Sequence, residues 1–344
     1  MKRLTFVWLI LLSCFSWACA PSAKATRIFF ASELSPAEIE ELKDVAPSVV
    51  VVGGLSRDEA VARAEEAHGA EGVYATPEFL ARARNLVWIQ AMSAGVDRYM
   101  GVPELVENDR IVLTNMRGVH GPAIADHAFA MLLALTRDLR FHLANQADGI
   151  WERGGSTTRP IALEGRTMLV VGLGGIGTEV AKRAHGFGMR VLATRRSDTP
   201  GPEFVERVGS PRDLLSMLPE ADVVAVCVPL TEETRGLFGK AAFDAMKPGA
   251  ILINVGRGRV VETGALLAAL DSGRLGGACL DVTDPEPLPA DHPLWRHPRV
   301  IVTPHVSSDA ELTDRRRWEI FRENIRRFGA GEPLENVVDK RAGY

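Results

Sequence analysis

Four cysteines in 344 residues, with no CxxC pair and no Cys/His metal spacing, argue against a zinc site or a disulfide framework. No metal is expected. Cys14 and Cys19 lie near the amino terminus, and Cys227 and Cys279 sit in the apolar runs "VVAVCVPL" and "GGACLDV", where a cysteine behaves as a small buried hydrophobe. An excess of one charge is also missing: 40 Lys and Arg stand against 44 Asp and Glu, interspersed, for a net charge of −4. No basic stripe offers itself to a nucleic-acid backbone, so nucleic acid is excluded as a partner. Long hydrophobic runs are scarce as well. The apolar stretch Leu4–Leu12 falls short of the roughly 20 residues of a spanning helix, so no integral membrane span is expected in the mature chain. Neither a solenoid-period repeat nor a low-complexity segment occurs. With 46% hydrophobic and 24% charged residues the chain reads as an ordinary globular protein. Its length suits two domains at about 150 residues each.

Residues 1–25 differ from the rest. Lys2 and Arg3, the apolar run and then the small residues Ala18-Cys19-Ala20 and Ala23-Lys24-Ala25 have the three-part layout of a secretory signal. Export, to the periplasm or to a membrane anchor, is the expectation. "LLSC" ending at Cys14 can also be read as a lipid-attachment box. The alternative is a leader without function and a cytoplasmic protein.

After the leader, short β-rich runs alternate with helix-like stretches: "RIFFAS", "SVVVVGG", "GVYAT", "LVWIQAM" and "RIVLTN". This is the pattern of βα units on a parallel sheet buried on both faces. Apolar residues at helical spacing from Gly121 to Asn145 then read as one long connecting helix with Pro122 in its first turn. A second series follows through "TMLVVGLGGIG", "RVLATRRS", "VVAVCVPL", "AILINVGRG", "GACLDV" and "RVIVTPH", with helices such as Thr178 to Phe187 and Thr263 to Ser272 between them. The expected fold class is α/β with two Rossmann-like domains, one flavodoxin-like and one doubly wound. The boundaries expected are 26–120 for the substrate domain, 121–308 for the dinucleotide domain, and 309–344 returning to complete the first. The amphipathic stretch Glu311 to Phe328 and the extended "GEPLENVVD" after it make up that return.

Gly172, Gly174 and Gly177 satisfy GxGxxG between a strand-like and a helix-like segment, the context that a dinucleotide loop requires. The first glycine permits the tight turn, the second lets the backbone approach a pyrophosphate, and the third lets the helix pack close; Gly175 and Ile176 belong to the same loop. Where an acid usually grips the ribose hydroxyls, about 20 residues further on, stand Arg195 and Arg196. A guanidinium there can hold a 2′-phosphate that a carboxylate would repel. NADP(H) is therefore the expected cofactor, with NAD(H) as the alternative.

Three further motifs, "INVGRGRVVE", "LDVTDPEPLP" and "VTPHVSS", end predicted strands of the second series. With "SAGVD", "VPLTEETRGLF" and "HPLW" they make the sequence, from about Arg27 onward, resemble the D-isomer-specific 2-hydroxyacid dehydrogenases, a family that includes glyoxylate and hydroxypyruvate reductases. The resemblance implies a catalytic set of Arg257, Glu286 and His305. The chemistry agrees. An arginine fork can anchor a carboxylate and polarise a carbonyl, a histidine can donate the proton, and a carboxylate can orient its ring and stabilise its charge. By the same resemblance Ala94 and Gly95 offer backbone N–H groups to the substrate from the first domain, which puts the expected active site in the cleft between the two domains. Ile176, Val228, Pro229, Thr234, Val255, Gly256 and Asp281 line the cofactor, Asp281 facing the nicotinamide carboxamide.

The resemblance further implies a homodimer, with the helix from Gly121 crossing to the partner. His127 and His185 read as structural. Thr283 stands where an aromatic often follows "LDV", and a single helix after the last motif points away from the longer phosphoglycerate dehydrogenases. The expected function is reduction of a small 2-keto acid, glyoxylate- or hydroxypyruvate-like, to the D-2-hydroxy acid. The alternatives are a non-catalytic nucleotide-sensing module of the corepressor type and a formate- or phosphite-type dehydrogenase.

Overall fold

The computed structural model describes residues 26–154 and 160–343. The leader, with Cys14 and Cys19, and residues 155–159 lie outside the described residues. Two parallel sheets carry the chain. The first holds β1 (Arg27–Phe30), β2 (Val49–Val52), β3 (Gly69–Glu71), β4 (Trp88–Gln90) and β5 (Val112–Thr114) in the order β2-β1-β3-β4-β5. The second holds β6 (Thr167–Val171), β7 (Arg190–Thr194), β8 (Arg207–Gly209), β9 (Val223–Val226), β10 (Ala250–Asn254), β11 (Leu275–Leu280) and β12 (Val300–Val302), ordered β12-β11-β10-β9-β6-β7-β8. The first order is flavodoxin-like and the second doubly wound, as the alternation of runs implied.

Burial explains why these runs are strands. Every residue of β6 and β10 is buried, so β-branched and leucine side chains pack on both faces of the sheet. Helices Gly121–Thr136 and Gly175–Gly186 cover one face, bringing Leu132, Val180 and Ala184 onto Met168 and Val170. Phe238, Phe243 and Leu266 cover Leu169 and Leu252 on the other. In the first sheet the Phe29 and Trp88 rings pack tilted at 4.7 Å, and Phe321 and Phe328 of helix Glu311–Ala330 close on them, Phe328 at 5.0 Å from Trp88. The extended segment beyond that helix pairs Val337 antiparallel with Thr114. Both sheets have a reversal of strand order, at β1 in the first and at β6 in the second, where open α/β sheets gather ligands at their carboxyl ends.

Three expectations change. "GVYAT" is not a strand: β3 is the preceding Gly69–Glu71, and Gly72–Tyr74 form a 3-10 turn. The turn is fixed by the Tyr74 hydroxyl, which donates to the carbonyls of Ala31 and Leu55 at 3.1 and 2.8 Å, and by the Tyr99 ring packed against Gly72. The single helix from Gly121 to Asn145 is two, Gly121–Thr136 and Leu139–Ala147, broken where Asp138 adopts φ 51°. An aspartate tolerates that left-handed conformation, which ends a helix that periodicity alone would continue. The edge strand β8 was not foreseen, because "RVG" is too short and too polar to register as one.

His120 caps the helix that leaves the first sheet for the second and is 6% exposed, its Nε2 3.5 Å from Arg317 Nη2. Burial, reinforced by that guanidinium, pushes its pKa down to about 4 from 6.5. As pH falls below 6.5 the unfolded chain takes up a proton that the folded chain refuses until about pH 4, so stability is lost across that window. The contribution is about 3 kcal/mol. H120N is expected to lose correspondingly less stability between pH 7 and 4 than the parent. Urea denaturation at several pH values checks this, and parallel pH profiles for the two proteins would refute it.

Candidate active site

The glycine loop follows β6. Gly172 turns with φ 99°, and a Cβ there would meet Val228 Cγ1 at 2.7 Å. A Cβ on Gly177 would stand 2.1 Å from the Gly172 carbonyl oxygen, so helix and turn can touch only with glycine at that position. Gly174 is the N-cap of helix Gly175–Gly186, makes no side-chain cap, and faces open space where its Cβ would be. An uncapped helix N-terminus with an unobstructed glycine in front of it fits a pyrophosphate. The residues present thus match the dinucleotide that the loop implied.

At the end of β7, Arg195 turns back on its own loop, its Nη1 donating to the carbonyls of Thr199 and Pro200 at 3.0 and 3.2 Å. Arg196 instead lines a cavity of about 880 Å³ between the two sheets. The same cavity is lined by Arg257, Glu286 and His305 and, from the first sheet, by Ser93, Gly95 and Asp97. Val228, Pro229, Thr234, Val255 and Gly256 are not among its lining residues. Val255 is in the core, Thr234 Oγ1 donates to the Pro229 carbonyl at 2.6 Å, and a Cβ on Gly256 would lie 2.7 Å from the Val228 carbonyl oxygen. Ile176 packs on the core helix face.

His305 Nδ1 lies 2.6 Å from Glu286 Oε1. An ionised carboxylate can only accept, so the proton sits on Nδ1, and Nε2 is left as the other working nitrogen. His305 holds φ 56° because its loop is pinned from below. Asp281, 1% exposed at the end of β11, accepts from Thr303 Oγ1 at 2.7 Å, Val306 N at 3.0 Å and Ser307 N at 3.1 Å, and its carbonyl accepts from His305 N at 2.8 Å. Burial alone would raise the Asp281 carboxyl, but the hydrogen bonds from Ser307, Thr303 and Val306 outweigh it and hold the pKa below the usual carboxylate value. Both oxygens are thus used on the histidine loop. His127 joins the same network, its Nε2 2.9 Å from Thr303 Oγ1, while His185 packs on Phe204.

Arg257 spans the cleft. Its Nε donates to Asp97 Oδ1 at 3.0 Å and its Nη1 to the Gly256 carbonyl at 2.8 Å, and Nη2 lies 1.5 Å from where a Cβ on Gly95 would be. The Ser93–Gly95 loop is itself clamped: Asn115 Nδ2 donates to the Ala94 carbonyl at 2.8 Å, Met116 N to the Ser93 carbonyl at 3.1 Å, and Ser93 Oγ to the Gly95 carbonyl at 2.7 Å. Sequence reasoning missed Asp97, although it ends the quoted "SAGVD", and it missed Asn115. It also missed Lys340 to Gly343, which line the cavity from the carboxyl-terminal segment.

A dinucleotide loop on the same sheet that carries an arginine and a histidine–carboxylate pair beyond its strand ends defines a nicotinamide-dependent oxidoreductase. The family model of the D-isomer specific 2-hydroxyacid dehydrogenase NAD binding domain matches residues 129–307. A glyoxylate reductase of Thermococcus litoralis is 36% identical over 269 residues, 76% of this chain and 80% of that protein. Among solved structures, a D-isomer specific 2-hydroxyacid dehydrogenase family protein of Aeromonas salmonicida is 36% identical with a TM-score of 0.77, over 92% of this chain and all of that one. An NADPH-dependent glyoxylate/hydroxypyruvate reductase of Sinorhizobium meliloti, solved with NADP and sulfate, is 28% identical with a TM-score of 0.75, over 93% of this chain and all of that one. The chain belongs to the D-isomer specific 2-hydroxyacid dehydrogenases. It is an oxidoreductase acting on CH–OH groups with NAD(P).

Gly95→Ala would drive a methyl group into Arg257 Nη2. The expected result is a loss of at least about 100-fold in kcat/KM for a 2-keto acid, since displacement of a positioned group by about 1 Å has that effect. The unfolding temperature should stay within a few degrees, and unchanged kinetics would refute the placement.

Proposed function

We propose that this protein reduces a small 2-keto acid, glyoxylate- or hydroxypyruvate-like, to the D-2-hydroxy acid with NADPH as the preferred cofactor. The observation that carries the reading is the 2.6 Å Glu286–His305 pair facing the same cavity as Arg257. Gly172, Gly174 and Gly177 with the helix behind them would hold the pyrophosphate, and Arg196 would meet the 2′-phosphate. A bound nicotinamide dinucleotide supplies the hydride.

The chain's own residues do the rest. Arg257, held at Nε by Asp97 and at Nη1 by Gly256, presents Nη2 above Gly95, where a substrate carboxylate meets both the guanidinium and the Ala94–Gly95 backbone. The same positive charge polarises the keto oxygen. His305, as the imidazolium, gives that oxygen its Nε2 proton and is left neutral with the Nδ1 proton still on the bond to Glu286, whose carboxylate stabilises the charged ring and holds its orientation. Asp281 acts one step back by clamping the histidine loop. The Glu286–His305 pair beside Arg257 favours catalysis over the nucleotide-sensing alternative.

A homodimer is part of the reading. Helix Gly121–Thr136 is largely buried within its own chain, whereas Leu139–Ala147 has no buried residue, and Leu143, Ile150 and Trp151 near it are 61, 51 and 92% exposed. That apolar surface supports a partner seated on the second helix rather than the first. Light scattering should give twice the chain mass for the parent and a monomer for L143D; a monomeric parent would remove this part of the proposal.

The direct test mixes purified protein with NADPH or NADH and a panel of 2-keto acids while reduced-cofactor absorbance is followed. Turnover of glyoxylate or hydroxypyruvate, faster with NADPH, is expected, and H305A should lower kcat by about 100-fold or more. Absence of turnover with every keto acid would overturn the reading, and an undiminished kcat in H305A would remove the role of His305.

A further inference from the structure

After helix Glu311–Ala330 the chain runs back along β5 and then folds into a small turn over the cleft. Asp339 Oδ1 accepts from Arg341 N at 2.9 Å and Ala342 N at 3.0 Å, and the Asp339 carbonyl accepts from Gly343 N at 2.9 Å. Lys340 nails the turn down. Its Nζ donates to the carbonyls of Leu105, Asn108 and Ile111 at 3.0, 2.7 and 3.0 Å, which uses all three donors of an ammonium group. Lys340 is thereby an anchor and cannot also reach a ligand. What it anchors is the cleft wall, since Arg341, Ala342 and Gly343 line the 880 Å³ cavity with Arg196 and Arg257.

Arg341 is exposed, and it belongs to the sheet opposite the one that carries Arg196. The two guanidinium groups are near enough for one carboxyl to feel both. The N–H groups of Ala342 and Arg341, followed by the charges of Arg341 and Arg196, hold the Asp339 carboxyl below its usual pKa. Both arginines line the one cavity, each from its own domain, and a doubly charged phosphate monoester offers three oxygens to two such forks.

We propose that Arg341 is a specificity-determining residue that reads the 2′-phosphate of NADPH together with Arg196, so that the phosphate is gripped from both domains. The idea rests on the NADPH reading above. It extends that reading from the strand end, where sequence places cofactor choice, to a turn more than a hundred residues away. Lys340 serves it as a positioning residue by fixing the turn.

The test is equilibrium binding of NADPH and of NADH, followed by tryptophan fluorescence and calorimetry, to the parent, R341Q, R196Q and the double variant. R341Q should weaken NADPH about tenfold, the scale of one lost charge-assisted contact, and leave NADH within twofold. The double variant should lose less than the product of the two single effects, since both residues act on one phosphate. Equal weakening of both nucleotides in R341Q would overturn the proposal in favour of general charge or a pyrophosphate contact, and no weakening of either would overturn it outright. If R196Q alone shifts the NADPH-to-NADH ratio, the NADPH reading stands and the role of Arg341 falls. If the parent binds NADH as tightly as NADPH, the NADPH reading itself falls.

Discussion

Arg257 is where the two sheets meet. Its guanidinium leaves the end of β10, crosses the cleft, bonds Asp97 at 3.0 Å and rests on the bare Cα of Gly95. Everything the cleft can do depends on that contact, because the arginine is useful only if the first domain brings the Ser93–Asp97 loop up to it. The loop is held in turn by Asn115, Met116 and the Ser93 hydroxyl, and the carboxyl-terminal return holds Asn115 in place, its N–H donating to the Asn336 carbonyl at 3.1 Å. A pair this exposed adds little to stability by itself. Its value is orientation: one bond to each domain leaves the fork with one direction to face.

A second clamp sets the histidine. Asp281 uses both carboxylate oxygens and its carbonyl on the Thr303–Ser307 loop, and His127 closes the network through Thr303. That loop carries His305 at a positive φ, a backbone conformation that persists only where surrounding bonds over-determine it. Buried Asp281 thus sets the position of a ring whose other constraint, Glu286, reaches it from a separate loop. The two clamps act on different domains, so relative domain position enters the geometry of Arg257 but not that of the Glu286–His305 pair.

Much of this was legible in the chain. The β-rich runs of the second series, the glycine loop and the arginine, glutamate and histidine motifs all sit within or just beyond strands whose burial on both faces demands continuous apolar stretches. The errors share a cause. "GVYAT" has strand composition, but a tyrosine hydroxyl bonded to two distant carbonyls makes it a turn; Asp138 looks helical until its backbone enters the left-handed region; "RVG" is too short to announce an edge strand. Arg195 and Arg196 are equivalent in the sequence, whereas in the fold Arg195 turns back on its own loop.

The sequence by itself determined the two parallel sheets and the dinucleotide loop, because each rests on local periodicity or on residues a few positions apart, and it named Arg257, Glu286 and His305 as candidates through the motifs that carry the family resemblance. Only the tertiary structure decided that Asp97 holds Arg257, that Asp281 serves the histidine loop, and that the turn at Lys340 walls the cleft. Those contacts join residues far apart in the chain, and their distances follow from how the sheets face each other, which no local pattern encodes.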